Sequence, residues 1–404
     1  MPATERLYYN DSHLIEFEAL VTDKTDRVSG WTAVTLDRTA FYPTGGGQPS
    51  DTGTLNDARV VECIDDEENG VLHVIQGRAP EVGAKVTGRI DWPRRLDHMQ
   101  QHTGQHILSQ AFISLYNAPT RSFRVLTDSC EIDVELTNPT NEIIERGVEL
   151  ANNVIWEDRL ITIKSATAAE AAQLPLRKEP SRDGELRLIE IEGFDLTPCG
   201  GTHAYRTGEV GMIVVRTWER AKGLTRIEFA AGTRALADYR HANKTARAVA
   251  ALFSASRDDA AKLAAHALEE NKELHRRVRA LEEIAARVEA QELLAAVAPN
   301  SEGLRVVTQI FASRDAESLK HTAQALIANP NTIALLGSRE KDSARLVFAR
   351  SADAPGDMNA LMKEACAIVD GRGGGKLDLA QGGGKIVEKL EDALAAARRA
   401  LFEE

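Results

Sequence analysis

Two short segments, His102-Thr-Gly-Gln-His106 and Cys199-Gly-Gly-Thr-His203, constrain this chain more than any other feature. Each carries a pair of soft or borderline metal ligands four residues apart. Four positions on a helix make about one turn, so His102 and His106 share one face. Two glycines and a threonine lie between Cys199 and His203, which suits a tight loop better than a helix. Together the pairs offer three imidazoles and one thiolate, a tetrahedral donor set that suits zinc. Either pair alone is a weak signal, because surface pairs and satisfied core histidines share the spacing. The chain has only 10 histidines and 4 cysteines, so the coincidence of two such pairs carries weight. If they are halves of one site, the fold must bring a helix face and a distant loop around a single ion.

A length of 404 residues suggests two to four domains. Hydrophobic and charged shares of 43% and 27% read as soluble and globular. No run approaches the ~20 apolar residues that span a bilayer, and the N-terminus lacks the basic and apolar regions of a secretory signal. Cys63, Cys130, Cys199 and Cys366 are scattered with no disulfide framework. These features point to the cytoplasm. A net charge of -12 argues against a protein that coats nucleic acid generally. A local exception runs from Arg206 to Arg247. Arg206, Arg216, Arg220, Lys222, Arg226, Arg234, Arg240, Lys244 and Arg247 face only Glu209, Glu219, Glu228 and Asp238 there. Such an excess can hold phosphates or form an ordinary solvated face.

Hydrophobic patterning predicts an α+β multidomain chain with antiparallel sheets. Residues 1–92 read as a small β-barrel, with strands at Val28–Leu36, Val60–Val61 and Val71–Ile75 around a glycine-rich loop, Gly45-Gly46-Gly47-Gln48. Residues 93–233 read as an α+β domain. It opens on a helix over 94–116 with Pro93 at its start, and has strands at 123–136, 160–165, 186–191, 210–215 and 225–230 and a helix near 140–158. Residues 234–298 are free of Gly and Pro and read as one long helix. Leu274, Val278, Leu281, Ala285 and Val288 give it a short coiled-coil seam, satisfied within one chain or between two. Residues 299–404 read as an α/β domain with strands at 304–311, 332–337 and 344–349 and helices near 315–328, 356–370 and 382–402. Its two glycine clusters, Gly371–Lys376 and Gly382–Lys385, suggest a phosphate-binding nest.

The His-x-x-x-His pair followed by Cys-Gly-Gly-Thr-His resembles the editing domain of alanyl-tRNA synthetase and its freestanding AlaX-type relatives. Phe41-Tyr-Pro-Thr-Gly-Gly-Gly-Gln48 is similar to that family's glycine-rich segment. The Gly371–Gly384 region, with Asp378-Leu-Ala-Gln, resembles the C-terminal domain of alanyl-tRNA synthetase. The resemblance covers nearly the whole chain in matching order. Only about one hundred residues precede His102, too few for an aminoacylation domain, so the expectation is a long-form trans-acting editor that needs no ATP.

That resemblance implies zinc-assisted hydrolysis of mischarged tRNA(Ala), chiefly seryl-tRNA(Ala) and also glycyl-tRNA(Ala). It implies one Zn2+ on His102, His106, Cys199 and His203. A zinc-bound water and Asp195 are then the catalytic candidates, Asp195 serving equally well as support for a ligand histidine. Thr103 stands where some metalloproteases carry a glutamate base. Candidate substrate contacts are Gly45, Gly46, Gly47, Gln48, Ser122, Gly200, Gly201 and Thr202. Candidate tRNA contacts are Arg220, Lys222, Arg226, Arg372, Lys376 and Lys385, and a homodimer through the helical and C-terminal parts is expected. Two rivals stay open: a tRNA-binding protein with structural zinc, and a metal-dependent phosphoesterase. For the second, Asp97-His98-Met99 is the nearest approach to the required DHH triplet.

Overall fold

The computed structural model describes residues 4–26, 31–66, 70–178 and 184–402. The start of the strand expected at Val28–Leu36 lies outside them. The chain forms two compact units, Met1–Leu252 and Phe253–Glu404.

Beyond a short parallel pair, Glu5–Arg6 with Arg38–Thr39, the first unit opens with six longer strands: β1 (Glu16–Asp26), β2 (Thr32–Leu36), β3 (Gly53–Leu55), β4 (Ala58–Asp66), β5 (Gly70–Gln76) and β6 (Lys85–Ile90). They pair in the closed order β1-β2-β5-β4-β3-β6. Alternate side chains, among them Phe17, Val34, Leu36, Leu55, Val60 and Val86, fill the interior. His73 is fully buried among them. Its Nδ1–H donates to Val34 O at 3.1 Å, and Thr39 Oγ1 lies 2.8 Å from Nε2. Burial pulls its pKa down to about 4. In the unfolded chain the imidazole takes a proton near 6.5, so below that pH the unfolded state binds the extra proton. Stability should therefore fall as the pH drops from about 6.5 to 4, by up to roughly 3 kcal/mol from this residue. Urea midpoints across that window should decline in the native protein and flatten in His73→Gln. An equal slope in both would contradict the assignment.

The helix α1 (Trp92–Tyr116) follows directly, with Pro93 in its first turn, and ends on Asn117 at φ 50°. Next come β7 (Thr120–Val125), β8 (Cys130–Val134) and α2 (Asn141–Trp156), whose N-cap is Thr140. The single strand expected over 123–136 is thus a hairpin, broken at the polar residues Thr127-Asp-Ser129. A three-stranded sheet is formed by β9 (Ile161–Thr167), β10 (Glu185–Ile191) and β11 (Asp195–Pro198). Then β12 (Ile213–Ala221) and β13 (Leu224–Ala231) complete a four-stranded antiparallel sheet, β12-β13-β8-β7. One face of that sheet, with Ile132, Ile227 and Phe229, packs on α1 and α2. Gly147 lets the two helices close in, because a Cβ there would sit 2.7 Å from the Phe112 ring. The unit ends on α3 (Gly232–Ala251).

The long helix expected over 234–297 is two helices, α3 and, in the second unit, α4 (Ala260–Ala295). The break needs no Gly or Pro. Ser254 takes φ 54°, and Ser256 Oγ donates to Asp259 Oδ2 at 2.8 Å, so side chains that favour caps compete with the helix. Leu274, Val278, Leu281 and Val288 of the expected seam are all exposed.

The second unit carries a five-stranded sheet built from β14 (Arg305–Ala312), β15 (Thr332–Arg339), β16 (Ala344–Arg350), β17 (Gly371–Gly375) and β18 (Leu379–Gly384), in the order β14-β15-β16-β18-β17. The helix α5 (Ala316–Ile327) packs on one face, while α6 (Met358–Ile368) and α7 (Leu390–Ala400) pack on the other. The glycine clusters are therefore not a nest before a helix. They are the paired strands β17 and β18, and the helix expected from 382 begins only at Leu390. Glycine serves packing here. A Cβ on Gly382 would lie 2.4 Å from Cys366 Sγ, and one on Gly384 would lie 2.1 Å from Val369 O.

Candidate metal centre

Helix α1 is polar through its buried middle. Gln100, Gln101, His102, Thr103, Gln105, His106 and Ser109 are all buried. Such burial is costly unless each polar group finds a partner. Gln101 exchanges two hydrogen bonds with the Ala231 backbone, at 3.0 and 2.9 Å. Gln100 bonds Glu209 O and the Thr233 amide. The sequence trace of this polar interior is the clustering of Gln100, Gln101 and Gln105 around the two histidines, and the ligand spacing alone did not reveal it.

The loop after β11 brings Cys199 and His203 to that helix. Cys199 Sγ lies 3.1 Å from His102 Nε2 and 3.4 Å from His203 Nε2. The ligand atoms of His102, His106, Cys199 and His203 all lie within 4.8 Å of one another. Zinc bonds of 2.0–2.3 Å in a tetrahedron give ligand separations of about 3.3–3.7 Å, so the four can hold a metal ion of that size. The rings are oriented through their outer nitrogens. His106 Nδ1 is 3.2 Å from Asp195 Oδ2. His203 Nδ1 is 3.3 Å from Thr103 Oγ1, which also accepts the Ala204 amide at 3.2 Å. Nε2 of both rings is thereby left to the cluster. His102 Nδ1 is buried without a partner among the described residues.

Electrostatics favour a bound cation. Burial opposes ionisation of Cys199, yet the neighbouring imidazoles, His102 foremost, with hydrogen bonds from His102 and His106, hold its thiol well below the usual range. Burial also opposes a charged Asp195, but His106 and Arg177 outweigh it and hold that carboxyl at about 2. Burial lowers His203 to about 3, which keeps its ring neutral and able to ligate.

Asp195 faces the ring nitrogen opposite the cluster, and its other oxygen already takes Arg177 Nε and Thr197 Oγ1, both at 2.8 Å. Its geometry is that of a group that orients His106. Asp195→Asn should lower metal affinity or turnover by about 10–100-fold, read by metal titration; an unchanged affinity and rate would remove it from the site. Gly201 is a second sensitive point. A Cβ there would stand 2.5 Å from His102 Cε1. Gly201→Ala should displace that ring and release metal at chelator concentrations the native protein resists.

The glycine-rich loop is a defined turn. Gly45 and Gln48 exchange backbone hydrogen bonds of 3.1 and 2.9 Å around Gly46 and Gly47, both at positive φ. Positive φ at both central residues is the pattern of a type I′ turn. A Cβ on Gly47 would lie 2.5 Å from Phe123 O, and the Phe123 ring stands edge-on to His102 at 5.5 Å. Gln48 and Thr202 are fully buried and bonded to each other, Gln48 Nε2 donating to Thr202 Oγ1 at 2.8 Å. The structure thus joins the Gly45–Gln48 turn to the Cys199–His203 loop. Gly200 lies beside Tyr9, 3.6 Å from a Cβ position to the hydroxyl. Ser122 is not brought to the cluster. It lies on the strand face opposite Phe123 and donates to Asp133 Oδ2 at 2.6 Å.

The candidate tRNA contacts are dispersed. Arg226 pairs with Asp133 at 2.8 Å and Arg220 donates to Thr137 O at 3.1 Å. Lys222 is exposed at the β12–β13 turn. Arg372, Lys376 and Lys385 are exposed around the glycine hairpin of the second unit. Three supporting residues carried no sequence signal. Arg187 Nη1 donates to Cys199 O and Gly201 O at 2.7 and 3.0 Å, pinning the ligand loop. Arg177 and Ser12 come from irregular segments; Ser12 Oγ accepts the His203 amide at 3.1 Å.

Residues 186–228 match the family described as threonyl and alanyl tRNA synthetase second additional domain. Residues 2–94 match tRNA synthetases class II (A), and residues 303–403 match the DHHA1 domain. Alanyl-tRNA editing protein AlaX-L of Pyrococcus horikoshii is 33% identical over 97% of this chain and 97% of its own length. The chain belongs to the family of alanyl-tRNA editing proteins. Alanine–tRNA ligases of Methanobrevibacter smithii and Pyrococcus abyssi are 30% and 33% identical over 98% of this chain, which spans 46% and 43% of their lengths. A solved C-Ala domain of Aquifex aeolicus alanyl-tRNA synthetase aligns at 25% identity over 25% of this chain and 93% of that domain, with a TM-score of 0.24. No helix among the described residues is long and apolar enough to cross a membrane.

Proposed function

We propose that this aminoacyl-tRNA deacylase hydrolyses the ester of mischarged tRNA(Ala), chiefly seryl-tRNA(Ala) and also glycyl-tRNA(Ala), with one Zn2+ held by His102, His106, Cys199 and His203. The observation that carries the reading is the convergence of those four side chains from α1 and a distant loop in a family of editing proteins. When bound, the metal supplies Lewis-acid polarisation of the ester carbonyl and a lowered pKa for water. The chain's own residues do the rest. Asp195 and Thr103 fix the His106 and His203 rings, Arg187 fixes the loop that carries Cys199, and the Gln48–Thr202 pair joins the glycine turn to that loop. Discrimination against alanine needs a polar contact to the serine hydroxyl; a site that hydrogen-bonds a hydroxyl rejects the analogue without it by about 10⁴–10⁵. Backbone groups at Gly45–Gly47 and Gly200–Gly201, with Gln48 and Thr202, are the proposed contacts.

The exposed seam of α4 supports a homodimer, its Leu274, Val278, Leu281 and Val288 meeting those of a second copy as a coiled coil. Arg372, Lys376 and Lys385 of the second unit are proposed tRNA contacts. A tRNA substrate places the work in the cytoplasm, where translation occurs, and the hydrolysis consumes no ATP. The test is incubation with seryl- and alanyl-tRNA(Ala), with and without chelator. Selective, metal-dependent loss of serine is expected. Binding of both tRNAs without deacylation would instead favour a structural zinc.

A further inference from the structure

The arginines of the Arg206–Arg247 stretch divide sharply once their partners are known. Arg206 pairs with Asp158 at 2.7 Å, Arg216 with Glu228 at 2.8 Å and Asp238 at 3.0 Å, and Arg234 with Asp97 at 2.7 Å. Arg226 is neutralised by Asp133, so the outer face of the sheet β12-β13-β8-β7 is close to charge-balanced. Among the described residues Arg220 bonds only the Thr137 carbonyl, and Lys222 stands alone at the β12–β13 turn. The cations of this stretch that are gathered without an acidic partner are on α3. Arg240, Lys244 and Arg247 are exposed, and none has an acidic partner among the described residues. From Tyr239 to Arg257 the sequence contains no Asp or Glu at all. In a chain of net charge -12 that is a marked local reversal.

The spacing gathers these cations. Positions 240, 244 and 247 lie within about 60° around the helix axis and about 10 Å along it. The opposite side of α3 carries the buried Ala235, and the buried Ala250 lies about a quarter-turn from the stripe. The helix is anchored beside the metal centre at its N-terminal end. Arg234 holds Asp97 of α1, and Thr233 N donates to Gln100 Oε1 at 3.0 Å, two residues from His102. The stripe therefore begins about two turns along a helix whose root touches the ligand helix.

We infer that Arg240, Lys244 and Arg247 form the phosphate-contacting surface for the RNA whose 3′ end enters the metal centre. The inference rests on the proposed editing function for the identity of that RNA. Charge complementarity selects a polyanion, and the row shape suits consecutive backbone phosphates. It also shifts the expected contact away from Arg226, whose guanidinium is already paired with Asp133.

The test is equilibrium binding of uncharged tRNA(Ala) to the full chain at several salt concentrations, with the native protein and R240E/K244E/R247E. Each lost phosphate contact lowers the slope of log K against log salt by about 0.7–0.9. The triple variant should therefore lose about 2–3 from that slope and bind at least tenfold more weakly at low salt, with R240Q/K244Q/R247Q showing the same slope change. Native metal content and unfolding midpoint in both variants would show that the fold is intact. Hydrolysis of a serine ester of adenosine, which lacks those phosphates, should stay at the native rate. An unchanged slope overturns the inference, as does a variant that keeps tRNA binding and loses only attachment to anionic phospholipid vesicles. If the native protein binds tRNA with the expected slope but cleaves no mischarged tRNA, the editing reading fails while the stripe stands.

Discussion

Asp51→Ala is expected to cost about 3–5 kcal/mol of unfolding free energy and to disturb the metal centre from a distance. Asp51 and Arg95 are both fully buried and joined as an ion pair. Arg95 Nη1 also donates to Ser12 O and Nη2 to Ala40 O, each at 2.6 Å, while Asp51 Oδ2 accepts the Tyr42 amide at 2.6 Å. The pair thus ties α1, the base of the glycine-rich loop and the N-terminal turn to one point. Removing the carboxylate leaves a guanidinium buried without its counter-charge, which costs more than the lost attraction. Ser12 also accepts the His203 amide, so the strain should reach a ligand. Urea unfolding and metal titration would read both effects. An apolar exchange of the whole pair, Asp51→Leu with Arg95→Met, should lose less than the single variant. If Asp51→Ala unfolds at the native midpoint, the pair does not hold this frame together.

His203→Ala is the second large effect. It removes one of four donors and opens a gap beside Cys199, whose thiolate is favoured by the imidazoles around it. A metal is worth several kcal/mol of charge stabilisation in ester hydrolysis, so the rate should fall by about 10³ or more. Metal content should fall with it, measured on the same preparation. Thr103→Ala, which removes only the group at His203 Nδ1, should fall less, by about 10–100-fold. A His203→Ala protein that keeps native turnover would show that the imidazole is no ligand in the working enzyme.

The cluster of His102, His106, Cys199 and His203 was legible because spacing encodes it: one helical turn for the first pair, a glycine bend for the second. Helix α1 and the strands that alternate cleanly were legible for the same reason. The break between α3 and α4 was hidden because serine and aspartate end a helix by side-chain competition rather than by a missing amide. The glycines of β17 and β18 were misread because glycine signals both an anion-binding turn and a close approach of helix to sheet. Here the second applies, with Cys366 and Met362 filling the space. Ser122 was placed by its neighbourhood in the sequence, but a strand turns adjacent residues to opposite faces, and Phe123 took the inner one. Arg177, Arg187 and the Arg95–Asp51 pair left no periodic trace. Their importance comes from partners far away in the chain, which a linear pattern does not record.

The most direct measurement is to strip the protein with chelator and return zinc in known equivalents while following seryl-tRNA(Ala) deacylation. Activity should rise from near zero and level off at one equivalent per chain. Full turnover by protein verified to be free of metal would contradict a catalytic role for the three histidines and the cysteine as its ligands.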